Sequence, residues 1–335
     1  MNPHSAPLPP QKKARIALLI PPTQLPRMFT DEALARLGQL GQLVRGDGTT
    51  QEIAEDLPEL LLNADVAVTG WGAPPIPAEL FGPRLRLVAH AAGSVKRLIP
   101  AEVVERGVAV SHAASIIADA VCEYALCLML MGLRRPHEMS AAMKAGTPWR
   151  QAAFHGARTL AGRVVGVVGA GYVGRRVIGL LRAFGAVVLV YDPYAKDVPT
   201  VGLDELFERA EIVTLHAPIT DETRHMVKAS HLARLRDGAL FLNVGRSWVV
   251  DQDALLAELR KGRFWAALDV FDEEPLPGDS PFVGLPNVLV TPHQAGHTLD
   301  TEARQGAAMV EEVERFLRGE PLAHQIRPEA FALMA

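Results

Sequence analysis

The stretch that decides the fold is Val164-Val165-Gly166-Val167-Val168-Gly169-Ala170-Gly171-Tyr172-Val173-Gly174. A β-branched apolar run passes into G-x-G-x-x-G and then into residues that favour a helix. Gly169 permits a tight strand-to-helix turn, Gly171 lets a pyrophosphate approach the backbone, and Gly174 lets helix and strand pack closely. Tyr172 and Val173 open the helix, whose positive dipole end would face the phosphates. A second strand, Val187 to Tyr191, ends at Asp192, where a ribose-binding carboxylate belongs. A carboxylate there repels a 2′-phosphate, so the expected cofactor is NAD. Two blander readings stand beside this one. A Gly-rich turn of the same shape could serve another ligand, such as a methyl donor, and Asp192-Pro193 could be only a turn.

On both sides of the fingerprint, short β-branched runs alternate with longer amphipathic stretches, the rhythm of βαβ units and a parallel sheet. Upstream strands are expected at Arg15–Ile20, Asp65–Thr69, Leu85–His90 and Val108–Ser111, with a helix over Asp31–Leu40 capped by Thr30. A long, almost uniformly apolar helix follows from Asp119 to Leu133, and such a helix must be covered on every side. Downstream strands are expected at Glu211–Leu215, Ala239–Asn243, Phe264–Asp269 and Asn287–Thr291, with helices over Asp251–Lys261 and Thr301–Leu317. A chain of 335 residues is long for one core. The expected architecture is therefore α/β with two Rossmann-like domains. One is a discontinuous, flavodoxin-like substrate domain over 1–118 and 298–335, and the other an NAD-binding domain over 119–297.

Composition narrows the function classes. Lys and Arg total 34 against 38 Asp and Glu, a net charge of −4, which offers no concentrated basic surface for nucleic acid or an anionic membrane. The small cluster Lys12, Lys13 and Arg15 reads as a solvated tail. The Pro-rich first 15 residues hold no apolar h-region, so no secretory signal is expected. The longest apolar stretch, Tyr124–Leu133, falls short of the roughly 20 residues a span requires. Cys122 and Cys127, five apart on one helix, point away from each other, so neither disulfide nor shared metal is expected. A reducing, cytoplasmic setting fits.

Three segments downstream each place a reactive side chain just after a strand, where open parallel sheets have their ligand crevice. They are Asn243-Val244-Gly245-Arg246-Ser247, Asp269-Val270-Phe271-Asp272-Glu273-Glu274-Pro275 and Thr291-Pro292-His293-Gln294-Ala295-Gly296. A guanidinium grips a carboxylate through two donors. An imidazole can give a proton to an oxygen that gains charge, and a neighbouring carboxylate favours and orients the protonated ring. Each residue also has a plain structural use: a surface ion pair for Arg246, a solvated acidic loop for Glu273 and Glu274, a carbonyl partner for His293. His293 and His297 are four apart, but they flank Gly296 and no third ligand is evident, so no metal is expected. His90, His112 and His216 read as structural.

From about Leu85 to Leu317 the chain resembles the D-isomer-specific 2-hydroxyacid dehydrogenase family, which includes glyoxylate, hydroxypyruvate and 3-phosphoglycerate dehydrogenases. The fingerprint and the three segments carry the likeness, with Ala120-Val121-Cys122-Glu123 and Leu215-His216-Ala217-Pro218-Ile219-Thr220 through Thr223. The resemblance implies that Arg246 binds the substrate carboxylate and keto oxygen, that His293 is the acid/base, and that Glu274 pairs with it. It puts Asp269 near the nicotinamide, and Pro218, Val244 and His216 on the cofactor side. It also implies a homodimer and a small 2-keto or 2-hydroxy acid as substrate.

The chain departs from the family pattern at two places. Ser247 stands where relatives usually have glycine after the arginine, which is tolerable if its φ stays negative. The substrate loop is His90-Ala91-Ala92-Gly93-Ser94-Val95-Lys96-Arg97, without the usual glycine-rich run and acid. Gly93 and the amides of Ser94 and Val95 could still hold a carboxylate. Lys96 and Arg97 could attract a second anionic group or simply begin a solvated helix, the reading favoured here. The sequence runs only a short way past its last helix, so the regulatory domain of long phosphoglycerate dehydrogenases is not expected. The expected function is NAD-dependent interconversion of a 2-keto acid and a D-2-hydroxy acid. Formate or phosphite oxidation is a rival, and Glu274 disfavours formate because the family's formate oxidisers carry glutamine there. A non-catalytic NAD(H)-binding redox sensor or corepressor is the rival from another class.

Overall fold

The computed structural model describes residues 13–331 and 334; Lys12 and the Pro-rich stretch before it lie outside them. Two compact units emerge, one running up to Ile117 and again from His297 onward, the other Ala118–Gly296.

In the first unit, β1 (Ala14–Leu18), β2 (Gly41–Arg45), β3 (Val66–Thr69), β4 (Leu87–His90) and β5 (Ala109–His112) form a parallel sheet in the order β2-β1-β3-β4-β5. That is the flavodoxin-like order. The central strands β3 and β4 are short runs buried on both faces, as helices above and below a parallel sheet require. The helix Asp31–Leu40 starts where Thr30 accepts a hydrogen bond from the Ala33 amide at 3.2 Å. β2 and the helix Thr50–Leu60 were not expected from sequence. Gly41-Gln42-Leu43-Val44-Arg45 is an edge strand with one fully buried residue, so it carries no alternation to read. The helix Leu299–Leu317 packs Met309, Val310 and Val313 among Ile16, Leu18 and Leu87 of this sheet. Gly306 is what permits the close approach, since a Cβ there would lie 1.9 Å from the Met28 carbonyl oxygen. Thr298 caps that helix, so it begins two residues before the expected Thr301.

The second unit holds β6 (Val164–Val168), β7 (Val187–Tyr191), β8 (Ile212–Leu215), β9 (Leu240–Asn243), β10 (Trp265–Leu268) and β11 (Val288–Val290) in the order β11-β10-β9-β8-β6-β7, all parallel. Chain order reverses between β6 and β8, the switch point at which such sheets bind ligands. Asn243, Leu268 and Val290 are register partners, so β9, β10 and β11 end level.

The long apolar helix is Ala114–Arg134, beginning five residues earlier than expected and reaching 21 residues. Among the described residues it is the one helix long and apolar enough to cross a membrane by length and composition, which corrects the shorter stretch read from sequence. Cys122, Ala125, Leu128, Met129 and Leu133 nevertheless pack with Val165, Leu240, Leu242 and Trp265 in the core of the second unit. Gly132 makes this contact close, because a Cβ there would meet the Leu240 side chain at 2.7 Å.

Candidate active site

The fingerprint glycines are explained by what a side chain would strike. Gly169 has φ +95°, and a Cβ there would lie 2.7 Å from the Ala217 amide nitrogen. At Gly174 a Cβ would lie 1.9 Å from the Gly169 carbonyl oxygen. Gly171, the N-cap of the helix Tyr172–Ala183, has only open space where its Cβ would be. A concave, side-chain-free helix N-terminus at a switch point fits a dinucleotide pyrophosphate. Tyr172 is exposed beside it, and Val173 is half-buried.

Asp192 follows β7 directly. Its Oδ2 accepts the Ala170 amide of the glycine loop at 2.7 Å, and its Oδ1 accepts those of Tyr194 and Ala195 at 2.8 and 3.1 Å. The carboxylate therefore shapes the loop and leaves remaining lone pairs for a ribose hydroxyl. Across the switch point, the Thr223 hydroxyl donates to the Pro218 carbonyl at 2.7 Å and accepts the Thr220 amide at 2.8 Å, closing the turn after β8. His216 lies under the glycine loop; burial pushes its pKa down to about 3, so the ring is neutral. Its Nδ1 has no partner, while Nε2 lies 3.0 Å from the Thr214 hydroxyl.

Arg246 stands three residues past the end of β9. Asn243 brackets it, its Oδ1 accepting the Gly245 amide at 3.1 Å and its Nδ2 donating to the Arg246 carbonyl at 3.0 Å. Val244 is buried beneath. Ser247 begins a short 3-10 turn and is absent from the residues with positive φ, so the turn does not need glycine.

Asp269 sits one residue past β10 and is wholly buried. Its Oδ1 accepts the Gln294 amide at 2.9 Å and the Thr291 hydroxyl at 2.5 Å, and its Oδ2 accepts the Ala295 amide at 2.8 Å. All these donors belong to the His293 loop. The resemblance puts Asp269 near the nicotinamide; in the structure its carboxylate is bonded to that loop. An amide would turn one acceptor into a donor facing an N–H. Asp269→Asn is therefore expected to lose about 3 kcal/mol of stability, with kcat falling more than KM, as checked by thermal unfolding and steady-state kinetics. Wild-type stability and kcat in that variant would remove the anchoring role.

His293 itself has φ +53°, in the left-handed region, and its side chain is 46% exposed. Its Nδ1 lies 2.8 Å from Glu274 Oε2, and Glu274 Oε1 accepts the Phe271 amide at 3.0 Å. The Glu274–Pro275 peptide is cis. With Nδ1–H given to the glutamate, Nε2 is the nitrogen left to exchange a proton with a ligand. Glu273, adjacent to Glu274, is exposed.

The substrate-loop candidates lie in the first unit. His112 Nδ1 meets the Gly93 carbonyl at 2.8 Å, which makes His112 a support of this loop, a role its sequence context did not reveal. Val95 is fully buried, so only its backbone is available to a ligand. The Ser94 hydroxyl lies 3.4 Å from the Lys96 amide. Lys96 and Arg97 occupy a turn, and the next helix starts at Ala101; the helix start expected there is not present. Among the described residues no cluster of His, Cys, Asp or Glu could hold a metal, and Cys122 and Cys127 are both free.

A family model described as "D-isomer specific 2-hydroxyacid dehydrogenase, NAD binding domain" matches residues 126–295. The chain belongs to that family. NAD is thus the cofactor of the domain that carries the glycine loop, Arg246, Glu274 and His293. Among curated relatives, a D-3-phosphoglycerate dehydrogenase of Methanocaldococcus jannaschii is 32% identical over 301 residues, which is 87% of this chain. The chain spans only 56% of that relative's length. A glyoxylate reductase of Korarchaeum cryptofilum is 34% identical over 262 residues, covering 73% of this chain and 78% of the relative. The solved structure of a phosphoglycerate oxidoreductase from Rhizobium etli, 28% identical, matches with a TM-score of 0.76 over 94% of this chain and 98% of its own.

Proposed function

We propose that this protein is an NAD-dependent dehydrogenase that interconverts a small 2-keto acid and its D-2-hydroxy acid, with His293 as the acid/base. The observation that carries the reading is the 2.8 Å contact of His293 Nδ1 with Glu274, on a loop tied to the end of β10 by Asp269. Arg246 holds the substrate carboxylate and polarises the keto oxygen with a charge that is permanent at neutral pH. His293 Nε2–H donates to that oxygen as negative charge develops there, and Glu274 stabilises the imidazolium and keeps the ring turned. The glycine loop and Asp192 would hold the nicotinamide cofactor, which would supply hydride to the carbonyl carbon as NADH and take it back as NAD+ in the reverse direction. In the reverse direction His293 takes the hydroxyl proton.

Recognition of the rest of the substrate falls to the first unit, through Gly93, Ser94 and the Val95 backbone, with Lys96 and Arg97 as candidates for a second anionic group. Cofactor contacts fall to Gly169, Gly171, Tyr172, Val173, Gly174, Asp192, Pro218 and Val244, with Asp269 acting through the His293 loop. A homodimer fits the half-exposed apolar side of the helix Ala114–Arg134, which carries Val121, Tyr124, Leu126 and Leu130. Two unpaired cysteines fit a cytoplasmic setting.

The test is NADH oxidation by the purified protein with glyoxylate, hydroxypyruvate, pyruvate, branched and aromatic keto acids, and phosphohydroxypyruvate. Turnover of one of them establishes the reaction class. Silence across the panel with NADH binding intact would oppose the enzyme reading and favour a binding role. Arg246→Ala should raise the KM for the keto acid and lower kcat, about 3 kcal/mol in kcat/KM together. A variant with unchanged kinetics would remove Arg246 from the substrate site.

A further inference from the structure

At the end of the second sheet opposite the catalytic residues, β9 and β10 begin beside a small pocket of about 130 Å³. Three arginines line it, Arg135, Arg158 and Arg263, together with Trp265 and Phe154, and none of the residues lining it carries a carboxylate. Gly238 and Gly262 open it further, since a Cβ at either would meet nothing within 4 Å.

The arginines are held rather than loose. Arg158 donates to the Gly238 carbonyl at 2.5 Å, and its own amide to the Leu133 carbonyl at 3.0 Å. Arg263 is gripped from outside the pocket by Asp237 at 3.1 Å, Glu258 at 3.3 Å and the Leu235 carbonyl at 2.9 Å. Arg135 has φ +48°, a backbone state its side chain does nothing to favour, and its guanidinium lies 4.6 Å from the Phe154 ring centre and 5.7 Å from that of Trp265. Glu138 is 3.5 Å from it, and its Nε is buried without a partner.

A second observation is independent of the arginines. Trp265 is 5% exposed, and its indole N–H is buried with no hydrogen-bond acceptor. Buried donors are rarely left in that state, and an orphan one in a polar pocket points to a missing partner. An indole N–H can only donate, so that partner is an acceptor. His137, 6.1 Å from the Trp265 ring, also has a buried nitrogen, Nδ1, without a partner.

We propose that this pocket is a binding site for a single phosphate-sized oxyanion, separate from the active site and not required for turnover. Its volume is well below the roughly 300 Å³ at which drug-sized ligand sites begin, so a nucleotide is too large. Fixed guanidinium forks and one donor-only indole suit the oxygens of a phosphate group or a small carboxylate.

The test is calorimetric titration of the full chain, saturated with NADH and carrying Arg246→Ala, so that the cofactor's phosphate seat is filled and the Arg246 seat removed; an anion held at Lys96 and Arg97 would be unmoved by the substitutions that follow. Inorganic phosphate is the first probe and malonate the second. Saturable binding is expected for one of them, weakened about tenfold by Arg158→Gln and less by Trp265→Phe, which keeps the ring packing. In an otherwise wild-type background both variants should turn over substrate at the normal rate, which separates this site from the catalytic assignment and reports that they are folded. Saturable phosphate binding assigns the site to a phosphate group; saturable malonate binding alone assigns it to a carboxylate. No saturable heat with either probe, or affinity unchanged by both substitutions, would overturn the proposal.

Discussion

Replacing His293 with alanine should lower kcat for keto-acid reduction about a thousandfold while leaving NADH affinity near its original value. The size follows from what a positioned general acid contributes, about 10²- to 10⁴-fold. The selectivity follows from position: His293 projects from the loop after β11, while the glycine loop, Asp192 and Pro218 lie around β6, β7 and β8, on the other side of β9. Glu274→Gln should fall between the two. Glutamine can still accept through one oxygen but offers no charge to an imidazolium, so kcat should drop with little change in the KM for NADH. Stopped-flow reduction with a saturating keto acid reads both effects. Turnover by the alanine variant at the parent rate would mean that another group delivers the proton.

The second large effect concerns acid. His90 is buried under the first sheet's C-terminal edge, its Nδ1 3.0 Å from the Thr69 hydroxyl. Burial, helped by the neighbouring His112, pushes its pKa down to about 3, and burial alone does the same to His216. An unfolded histidine titrates near its ordinary 6.5. The depressed folded value means that the unfolded chain binds the proton first. The stabilising contribution is therefore complete above pH 6.5 and shrinks as pH falls toward 3. Between pH 7 and pH 5 the loss is about 2 kcal/mol for His90, with a similar loss in prospect for His216. Urea unfolding across that range should show a midpoint that drops with acid. In His90→Gln the midpoint starts lower and falls less steeply. An equal slope in the two proteins would show that His90 is not among the groups taking up protons.

How much was legible beforehand depended on whether a residue's job was local. The glycine loop was readable because turn, approach and packing each demand a missing Cβ at a fixed offset. Thr30 was readable as a cap for the same reason, acting within three residues; Asp251, read as the first residue of its helix, is the cap one position before it. The roles of Asp269 and His112 were not, because their partners lie 22 to 26 and 19 positions away and are set by the order of strands. Asn243 was quoted only as a strand end, although its amide clamps the turn that carries Arg246. Lys96 and Arg97 show the opposite failure: a favourable-looking helix start is overruled where the Val95 carbonyl accepts the Leu98 and Ile99 amides and the chain turns at once. The early start of the helix at Ala114 went unread because small residues such as Ala113 and Ala114 do not mark a boundary.

One further consequence lies in the backbone of His293. A histidine at φ +53° is less comfortable than a glycine, which has no Cβ, by a margin of about 1 kcal/mol. The fold would accept another residue there more comfortably than the one it has. In a lineage released from selection for turnover, this position should be among the first to drift, and the drifted proteins should melt higher than their active ancestors. On the proposed acid/base role, histidine retained at such a site would record continuing turnover, legible in a set of sequences before any enzyme is assayed.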